Sequence, residues 1–345
     1  MSPRRINLAL QGGGAHGAFT WGVLDRLLDE EDIEIAAISG TSAGALNGAA
    51  FKAGMLKGGR EGARENLDWL WAQVAARGDL RMTTWMNAFS PAPGMIAQAL
   101  EYSLPFSVIE TASRVTSPYM LGPFYRNPLD PIVRRFAYDR ICARDAPALF
   151  VSATNVRTGK IRVFEHEEIT TEAILASACL PTLFQAVELD DPKTGEREAF
   201  WDGGYAGNPA LFPLFPAEFP DDIVVVNINP LERADLPVTP QDILNRINEV
   251  SFNSSLLREL RAIEFVRGLI AEGKVEAGAM KNVLIHMIAD DDLMRELSVA
   301  TKLVPSPPVL AGLKAAGQAA AERFLEGHKE DIGVRPSVDL REMFG

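Results

Sequence analysis

The chain of 345 residues is 47% hydrophobic, has a formal net charge of −12 and has a mean hydropathy close to zero. This much apolar material can form one large α/β domain or two smaller ones. An acidic chain lacks the basic surface that phosphate binding requires. Composition therefore argues against nucleic acid as a partner and against simple electrostatic docking on anionic lipid.

Cys142 and Cys179 lie far apart in mainly apolar surroundings. They predict neither a disulfide framework nor a metal site, so we expect no metal and no cofactor, and a reducing compartment. The basic pair Arg4-Arg5 is followed by an apolar stretch that is too short for a signal peptide. No apolar run is long enough for a membrane-spanning helix. We therefore expect a soluble, cytoplasmic protein.

The first sixty residues alternate between strand and helix patterns. Ile6 to Leu10 and Ile33 to Ile38 are short apolar runs typical of buried strands. Apolar residues recur at helical spacing from Gly17 to Leu28, and the small residues at 45–53 favour a second helix. This βαβα order predicts a mainly parallel sheet covered by helices.

The stretch 55–145 differs in composition, with three tryptophans, frequent prolines and few strand patterns. Helical patterns at 61–76 and 92–101 predict that it is an inserted helical cap. Beyond it, strands are predicted at 149–154, 161–164, 223–228 and 283–288, with two short strands flanking 192–195. Helices are predicted at 170–178, 240–272 and 309–326. The helix at 240–272 is expected to bury one apolar stripe, formed by Ile243, Ile247, Val250, Leu257, Leu260 and Ile263.

The second strand pattern runs into Gly40-Thr41-Ser42-Ala43-Gly44, a G-x-S-x-G motif followed by small helix-forming residues. A nucleophilic serine at the top of a sheet needs a tight, strained turn. Glycines two positions away avoid collisions with neighbouring backbone. The helix after the serine directs its positive end at developing negative charge. The motif predicts Ser42 as a nucleophile, with Gly40 and Gly44 supporting its turn.

The first strand pattern ends in Gly12-Gly13-Gly14-Ala15-His16-Gly17. Backbone N–H groups in such a loop can stabilise the oxyanion of acyl transfer, and those of Gly13 and Gly14 are the natural donors. The sequence of this loop also matches a dinucleotide-binding motif, which needs an acidic residue at the end of the second strand. That strand ends in the Ser42 turn, and the nearest acid, Glu34, lies inside it. We therefore favour an oxyanion loop over the alternative of a dinucleotide-binding oxidoreductase.

A serine nucleophile needs a base, and the chain has only four histidines. His286 and His328 fall late enough for a Ser-His-Asp triad, although a core residue and a helix-end residue are the simpler interpretations. Asp202, in Asp202-Gly203-Gly204, is otherwise typical of a turn. The scarcity of histidine favours a direct Ser42–Asp202 dyad.

Together the three motifs resemble the patatin-like phospholipase family. The match consists of Gly12-Gly13-Gly14-x-x-Gly17, Gly40-Thr41-Ser42-Ala43-Gly44 and Asp202-Gly203-Gly204, in that order. Ala176 to Pro181 and Asn208-Pro209 look like stretches of the family's bacterial members. The resemblance covers about residues 5–230.

The resemblance implies a three-layer α/β/α fold with a mainly parallel central sheet and an inserted helical cap at about 55–145. It implies an acyl-hydrolase domain at 5–230, with residues 231–345 as an extension that completes the same domain. It also implies a serine carboxylic-ester hydrolase that releases fatty acid from (lyso)phospholipid or related esters. Its dyad would be Ser42–Asp202, and its oxyanion hole would be formed by Gly12, Gly13 and Gly14.

One position departs from the family pattern, because many members carry Arg or Lys where this chain has His16. The departure bears on phospholipid as the particular substrate and not on the hydrolase chemistry. The Trp, Met and Phe content of the cap suits an acyl-chain tunnel or a transient contact with the inner face of a membrane; an ordinary helical core is the alternative. A non-catalytic lipid- or partner-binding regulator is the rival function, and the complete motif set argues against it.

Overall fold

The computed structural model describes residues 3–78, 117–145, 147–276 and 278–344. The helix predicted at 92–101 and Trp85 lie outside these ranges. Within them, no helix combines the length and the apolar character that crossing a bilayer requires.

Eight strands form one central sheet in the described part of the chain. They are β1 (Arg4–Leu10), β2 (Ile33–Thr41), β3 (Ala148–Asn155), β4 (Ile161–Glu165), β5 (Val187–Asp191), β6 (Glu196–Asp202), β7 (Asp222–Val226) and β8 (Leu284–Ile288). Five of them run parallel in the order β3-β2-β1-β7-β8. The antiparallel strands β4, β5 and β6 extend the sheet at its β3 end. The mainly parallel sheet predicted from the βαβα order is confirmed.

Helices cover both faces of this sheet. They are α1 (Gly17–Leu27), α2 (Ala43–Gly78), α3 (Asp130–Val133), α4 (Tyr138–Ile141), α5 (Thr171–Ser177), α6 (Pro240–Ala271), α7 (Asp291–Glu296), α8 (Val299–Leu303), α9 (Pro307–His328) and α10 (Leu340–Phe344). Alternate strand residues point to opposite faces. Leu8 and Val224 therefore join the core beneath α1, α2 and α9, whereas Ala9 and Val225 join the core beneath α6.

The helices predicted at 45–53 and 61–76 are both parts of α2, which kinks at Gly58-Gly59. After the kink, Trp71 is buried and its ring stacks on Trp21 of α1, with ring centroids 6.1 Å apart. The first part of the predicted cap therefore packs into the main core. The boundaries of the cap stay a prediction.

The prediction of a buried apolar stripe along α6 is wrong for the first half of the helix. Ile243, Ile247 and Val250 are 43%, 57% and 52% exposed. The inward face of this half carries Glu249 and Asn253, both buried, which bind polar groups of the neighbouring loops. The second half follows the expectation, since Leu260 and Ile263 are buried in the core.

Candidate active site

Ser42 occupies the tight turn between β2 and α2. Its φ is 53°, in the left-handed region that a serine adopts only at a cost of about 1–3 kcal/mol. The backbone N–H of Ser42 donates to the hydroxyl of Ser177, at a distance of 2.8 Å. Ser177 is fully buried at the end of α5 and thereby helps to hold the strained turn. The turn chemistry predicted from the G-x-S-x-G motif is present.

The two glycines of the turn are required by close backbone approach. A Cβ on Gly40 would lie 2.7 Å from the carbonyl of Gly44, and one on Gly44 would lie 2.1 Å from the carbonyl oxygen of Leu10. Both distances are well inside van der Waals contact, so any larger residue would displace α2 from the end of β1. The reason expected from the sequence for these two glycines therefore applies here.

The sheet brings Asp202 beside Ser42 although the two are far apart in sequence. Thr41, the residue before Ser42, pairs with Ser152 of β3, and Asp202 pairs with the next residue, Ala153. Strands β2 and β6 thus meet end to end along the same edge of β3. The hydroxyl of Thr154 donates to the carbonyl oxygen of Asp202 at 2.8 Å and fixes this end of β6.

The Asp202 carboxyl group is only 1% exposed. Its Oδ1 accepts the N–H of Gly204 at 2.8 Å. Burial raises the pKa of Asp202 to about 7, and hydrogen bonds from Gly204 and the Ser42 hydroxyl oppose this increase. The contact with Ser42 is loose, because Oδ2 makes no hydrogen bond of good geometry within the described residues. A carboxylate with a pKa near neutrality and one unsatisfied oxygen is suited to accept a proton from the adjacent hydroxyl.

The glycine loop packs directly against the nucleophile. A Cβ on Gly12 would lie 2.7 Å from the Cβ of Ser42. The N–H of Gly12 donates to Asn208 Oδ1 at 2.6 Å, so Gly12 anchors the loop and its amide is not free for an oxyanion. Within the described residues, the amides of Gly13 and Gly14 make no hydrogen bond. Of the three glycines predicted to form the oxyanion hole, Gly13 and Gly14 retain free donors.

Ala43 offers a further backbone N–H beside Ser42 that the sequence reasoning missed. It is the first residue of α2, and the N–H groups of a first helical turn have no partner within the helix. In serine hydrolases with a nucleophile turn, the residue after the serine contributes its N–H to the oxyanion hole. The signal was therefore available in the motif itself.

An apolar cavity of about 270 Å³ opens at Ser42. Its wall is formed by the glycine loop, by both ends of the α2 segment and by apolar residues around 128–132 and 180–184. The residues that line it include Gly14, Ala43, Leu46, Leu70, Trp71, Val74, Leu129, Ile132, Leu180, Leu183, Phe184 and Lys302. Lys302 is its one ionisable side chain among the described residues. A long, weakly polar ligand would fit such a wall.

None of the four histidines hydrogen-bonds to Ser42 in the described structure. His286 binds Asp222 at 2.9 Å and Ser337 at 3.2 Å, and His328 binds Asp331 at 2.9 Å. The triad alternative therefore has no histidine in place, and the interpretation of His286 as a satisfied core residue is confirmed.

His16 is buried, and its Nε2 lies 2.8 Å from the hydroxyl of Thr301. Burial, and secondarily the charge of Lys302, hold the pKa of His16 well below its usual value, so it is neutral. Gly17 is placed by close packing, because a Cβ there would lie 2.6 Å from the Cβ of Ala43. Both residues shape the loop, and neither hydrogen-bonds to Ser42 within the described residues.

The remaining glycines of the third motif are also sterically required. A Cβ on Gly203 would lie 2.2 Å from the carbonyl oxygen of Ser152, and one on Gly204 would lie 2.3 Å from the ring of Phe252. The described residues contain no cluster of acidic, histidine and cysteine side chains suited to a metal ion. Glu34, the acid closest to the dinucleotide requirement, points to solvent and pairs with Arg5.

Comparison with solved structures finds similarity to two other proteins. VipD from Legionella pneumophila is 15% identical, with 94% of this chain and 67% of that chain covered and a TM-score of 0.45. The type III effector ExoU is 14% identical, with 94% and 53% covered and a TM-score of 0.34. The ExoU–SpcU complex of Pseudomonas aeruginosa gives 17% identity, 94% and 62% coverage and a TM-score of 0.29. This chain thus spans only about half to two thirds of the length of these chains.

No curated protein matches the sequence. The family model for patatin-like phospholipases matches residues 8–217, which is more than half of the chain and includes Ser42, Asp202 and the glycine loop. The chain belongs to the patatin-like phospholipase family.

Proposed function

We propose that this protein hydrolyses acyl esters of lipids through a covalent acyl-enzyme, with Ser42 as nucleophile and Asp202 as base. Membership of the family supports lipid acyl-ester hydrolysis in general. The observation that carries the finer assignment is the buried Asp202 carboxyl group against the strained Ser42, at the mouth of an apolar cavity.

The first half of the reaction transfers the acyl group to the enzyme. The Ser42 oxygen attacks the ester carbonyl carbon while Asp202 accepts the hydroxyl proton. The carbonyl oxygen becomes an oxyanion, which the amides of Gly13, Gly14 and Ala43 can stabilise. When the intermediate collapses, the carbon–oxygen bond to the alcohol breaks and Asp202 returns its proton to the leaving alkoxide.

The second half releases the fatty acid. Asp202 accepts a proton from water, and the resulting hydroxide attacks the acyl carbon through a second oxyanion. Collapse breaks the bond to Ser42, whose oxygen recovers the proton from Asp202. The raised pKa of Asp202 suits both steps, because a carboxylate of ordinary pKa would be a weak base at neutral pH.

The cavity favours an acyl chain as the occupant beside Ser42. Apart from Lys302, its described wall is mainly aliphatic and aromatic, and α2 contributes Leu70, Trp71 and Val74 from the first part of the predicted cap. We propose a fatty acyl ester of a (lyso)phospholipid or related lipid as substrate. Neutral His16 adds no positive charge for a phosphate. The predicted contact of the cap with a membrane and the cytoplasmic location belong to the same proposal.

A fluorophosphonate probe with peptide mapping tests the nucleophile, and lipid analysis tests the substrate. We expect the probe to label Ser42 in the folded protein and to leave Ser42→Ala unlabelled. Phospholipid, lysophospholipid and p-nitrophenyl acyl esters should lose fatty acid with wild type and not with Ser42→Ala. Absence of labelling would favour the non-catalytic regulator. Labelling without release from either lipid would retain Ser42 as the nucleophile and overturn the lipid substrate.

A further inference from the structure

A chain of hydrogen bonds runs from a lysine to the back of the glycine loop. The ammonium group of Lys302, on α8, donates to Asn229 Oδ1 at 2.8 Å. The Nδ2 of Asn229 donates to the carbonyl oxygen of Gly12 at 2.9 Å. Asn229 is itself fixed by Gln11, whose Oε1 accepts from both the backbone and the side-chain nitrogen of Asn229 at 3.0 and 3.1 Å.

This series of hydrogen bonds ends at the Gly12–Gly13 peptide unit, which carries an oxyanion donor. The carbonyl of Gly12 and the N–H of Gly13 belong to one planar trans peptide and point in opposite directions. Holding the carbonyl against Asn229 therefore aims the N–H of Gly13 away from the polar network. That N–H makes no hydrogen bond among the described residues.

The hydrogen bonds from Lys302 to Asn229 and from Asn229 to Gly12 run in the same donor-to-acceptor direction. The ammonium group polarises the amide of Asn229, and this amide polarises the Gly12–Gly13 peptide, so the Gly13 N–H becomes a stronger donor. Hydrogen bonds in series strengthen one another, by about 10–30% per bond, and a buried setting screens the charge less than water does.

We propose that Lys302 is a positioning residue which, through Asn229 and the Gly12–Gly13 peptide, orients and polarises the oxyanion donor at Gly13. The inference rests on the proposed hydrolase function. Lys302 also lines the cavity at Ser42, but its ammonium group is held by Asn229 and makes no hydrogen bond to Ser42 among the described residues. Lys302 comes from a distant part of the sequence and supplies a cation next to the glycine loop. The nearby His16 is neutral and cannot supply one.

The groups around Lys302 leave it able to act as a cation at neutral pH. Glu249 of α6 favours its charged form, whereas Arg233 from the loop after β7 disfavours it, and burial is the largest influence. Together they lower the pKa of Lys302 to about 8. Glu249 is already paired with Arg233 at 2.6 Å and with Arg246 at 3.2 Å, so it does not neutralise Lys302. His16, on the adjoining 3₁₀ helix, is uncharged.

The test compares Lys302→Met, Lys302→Gln and Lys302→Arg in steady-state hydrolysis of a soluble p-nitrophenyl ester between pH 6 and 10. Removing a direct oxyanion donor typically costs about 10²–10³-fold in kcat. The indirect effect of Lys302→Met should therefore be about 10-fold to 100-fold in kcat, with KM within about twofold. Wild type should lose activity above about pH 8, and Lys302→Met should lack this alkaline limb. Lys302→Arg keeps the charge and should retain most of the activity.

Lys302→Gln separates hydrogen bonding from charge, because it can still donate to Asn229. We expect it to lie between wild type and Lys302→Met and to lack the alkaline limb. Lys281→Met is the matched control, since Lys281 is another half-buried lysine, whose ammonium group donates to the carbonyls of Leu214, Pro216 and Phe219. It should lower Tm and leave both kcat and the alkaline limb unchanged.

An unchanged kcat, or an alkaline limb that persists in Lys302→Met, would overturn the proposal while leaving the hydrolase function intact. If Lys302→Met fails to fold, the comparison of Lys302→Gln with Lys302→Arg decides the question, because equal activities would exclude a role for the charge. If wild type neither reacts with a fluorophosphonate at Ser42 nor hydrolyses the ester, the hydrolase function itself fails, and the role of Lys302 fails with it.

Discussion

The Ser42–Asp202 pair and a cluster beside strand β8 both combine a serine with an acid, but of these two the first alone has the features of a catalytic site. At the first, Ser42 faces Asp202 with a loose contact and no histidine. The second, which we call the His286 cluster, consists of Ser337, His286 and Asp222. There His286 connects the serine to the acid by hydrogen bonds of 3.2 and 2.9 Å. By residue type alone, the His286 cluster looks more like a hydrolase triad.

The surroundings reverse this impression. The backbone N–H groups of Ser337 and Val338 both donate to the carbonyl oxygen of Ile285, so neither is free for an oxyanion. Asp222 also accepts the N–H of Gly333 at 2.8 Å, as a structural carboxylate does. Ser42 has a strained backbone, free amides beside it and an apolar cavity. A site is thus marked by unsatisfied donors and strain, whereas the His286 cluster has both ring nitrogens hydrogen-bonded and stabilises the edge strand β8.

The largest expected effect separates the two serines. Ser42→Ala should lower kcat for a p-nitrophenyl ester by about 10⁴-fold or more, because it removes the atom that forms the acyl-enzyme. Ser337→Ala removes one hydrogen bond of His286 and should leave kcat within about twofold. Rates at matched protein concentration measure both. Comparable losses in the two variants would place the His286 cluster in the reaction.

The next effect compares Asp202 with His286 as the possible base. Asp202→Asn keeps the shape of the side chain and removes the base, so kcat should fall by about 10³-fold or more. His286→Asn leaves Asp222 without its aromatic partner and should cost about 1–3 kcal/mol of folding free energy while retaining most of the activity. Steady-state kinetics and thermal unfolding of both variants give the comparison. An active Asp202→Asn with an inactive His286→Asn would contradict the dyad.

The sequence predicted the first cluster because its signals are local. Ser42 lies in a motif of five consecutive residues, and the acid is followed by two glycines that the structure shows to be sterically required. The mainly parallel character of the sheet was equally accessible, since it follows from the alternation of strand and helix patterns along the first sixty residues. His286 was interpreted as a core residue from its apolar strand, and the structure agrees.

The roles of other residues of the site carry no local signal, although Asn208 belongs to a stretch that resembles family members. Asn208, Asn229 and Lys302 are polar residues that become a network only when three distant segments fold around the glycine loop. The exposed Ile243 face of α6 was misassigned for a related reason. Periodicity reports which residues share a helix face, and the tertiary neighbours decide whether that face is buried. Beneath the first half of α6 these neighbours are polar.

A third effect concerns the pH dependence that Asp202 gives to the activity. Asp202 must be ionised to accept a proton, and its pKa is raised to about 7 by burial. Activity of wild type should therefore fall about tenfold per pH unit below about pH 6, with a midpoint near 7. Measurement of kcat for an uncharged ester between pH 5 and 8 gives the midpoint. The Ser337→Ala variant is the control and should retain it, whereas a midpoint near 4 would mean that Asp202 is not the buried base.

The smallest expected effect concerns stability, because the same buried carboxyl group costs the fold free energy when it is charged. The pKa of Asp202 is raised above its value in the unfolded chain, so its contribution to stability is fully present below about pH 4 and is lost as the pH rises through about 7. Asp202→Asn removes the charge and keeps an acceptor for the Gly204 N–H. Its Tm should exceed that of wild type by about 2 °C or more at pH 8, and the gap should narrow at pH 5.

In the His286 cluster, where the acid is satisfied by His286 and Gly333, Asp222→Asn should instead lower Tm at pH 8. If both Asn variants were destabilised at pH 8, Asp202 would be a structural carboxylate like Asp222. The two clusters would then not differ in the role of their acid.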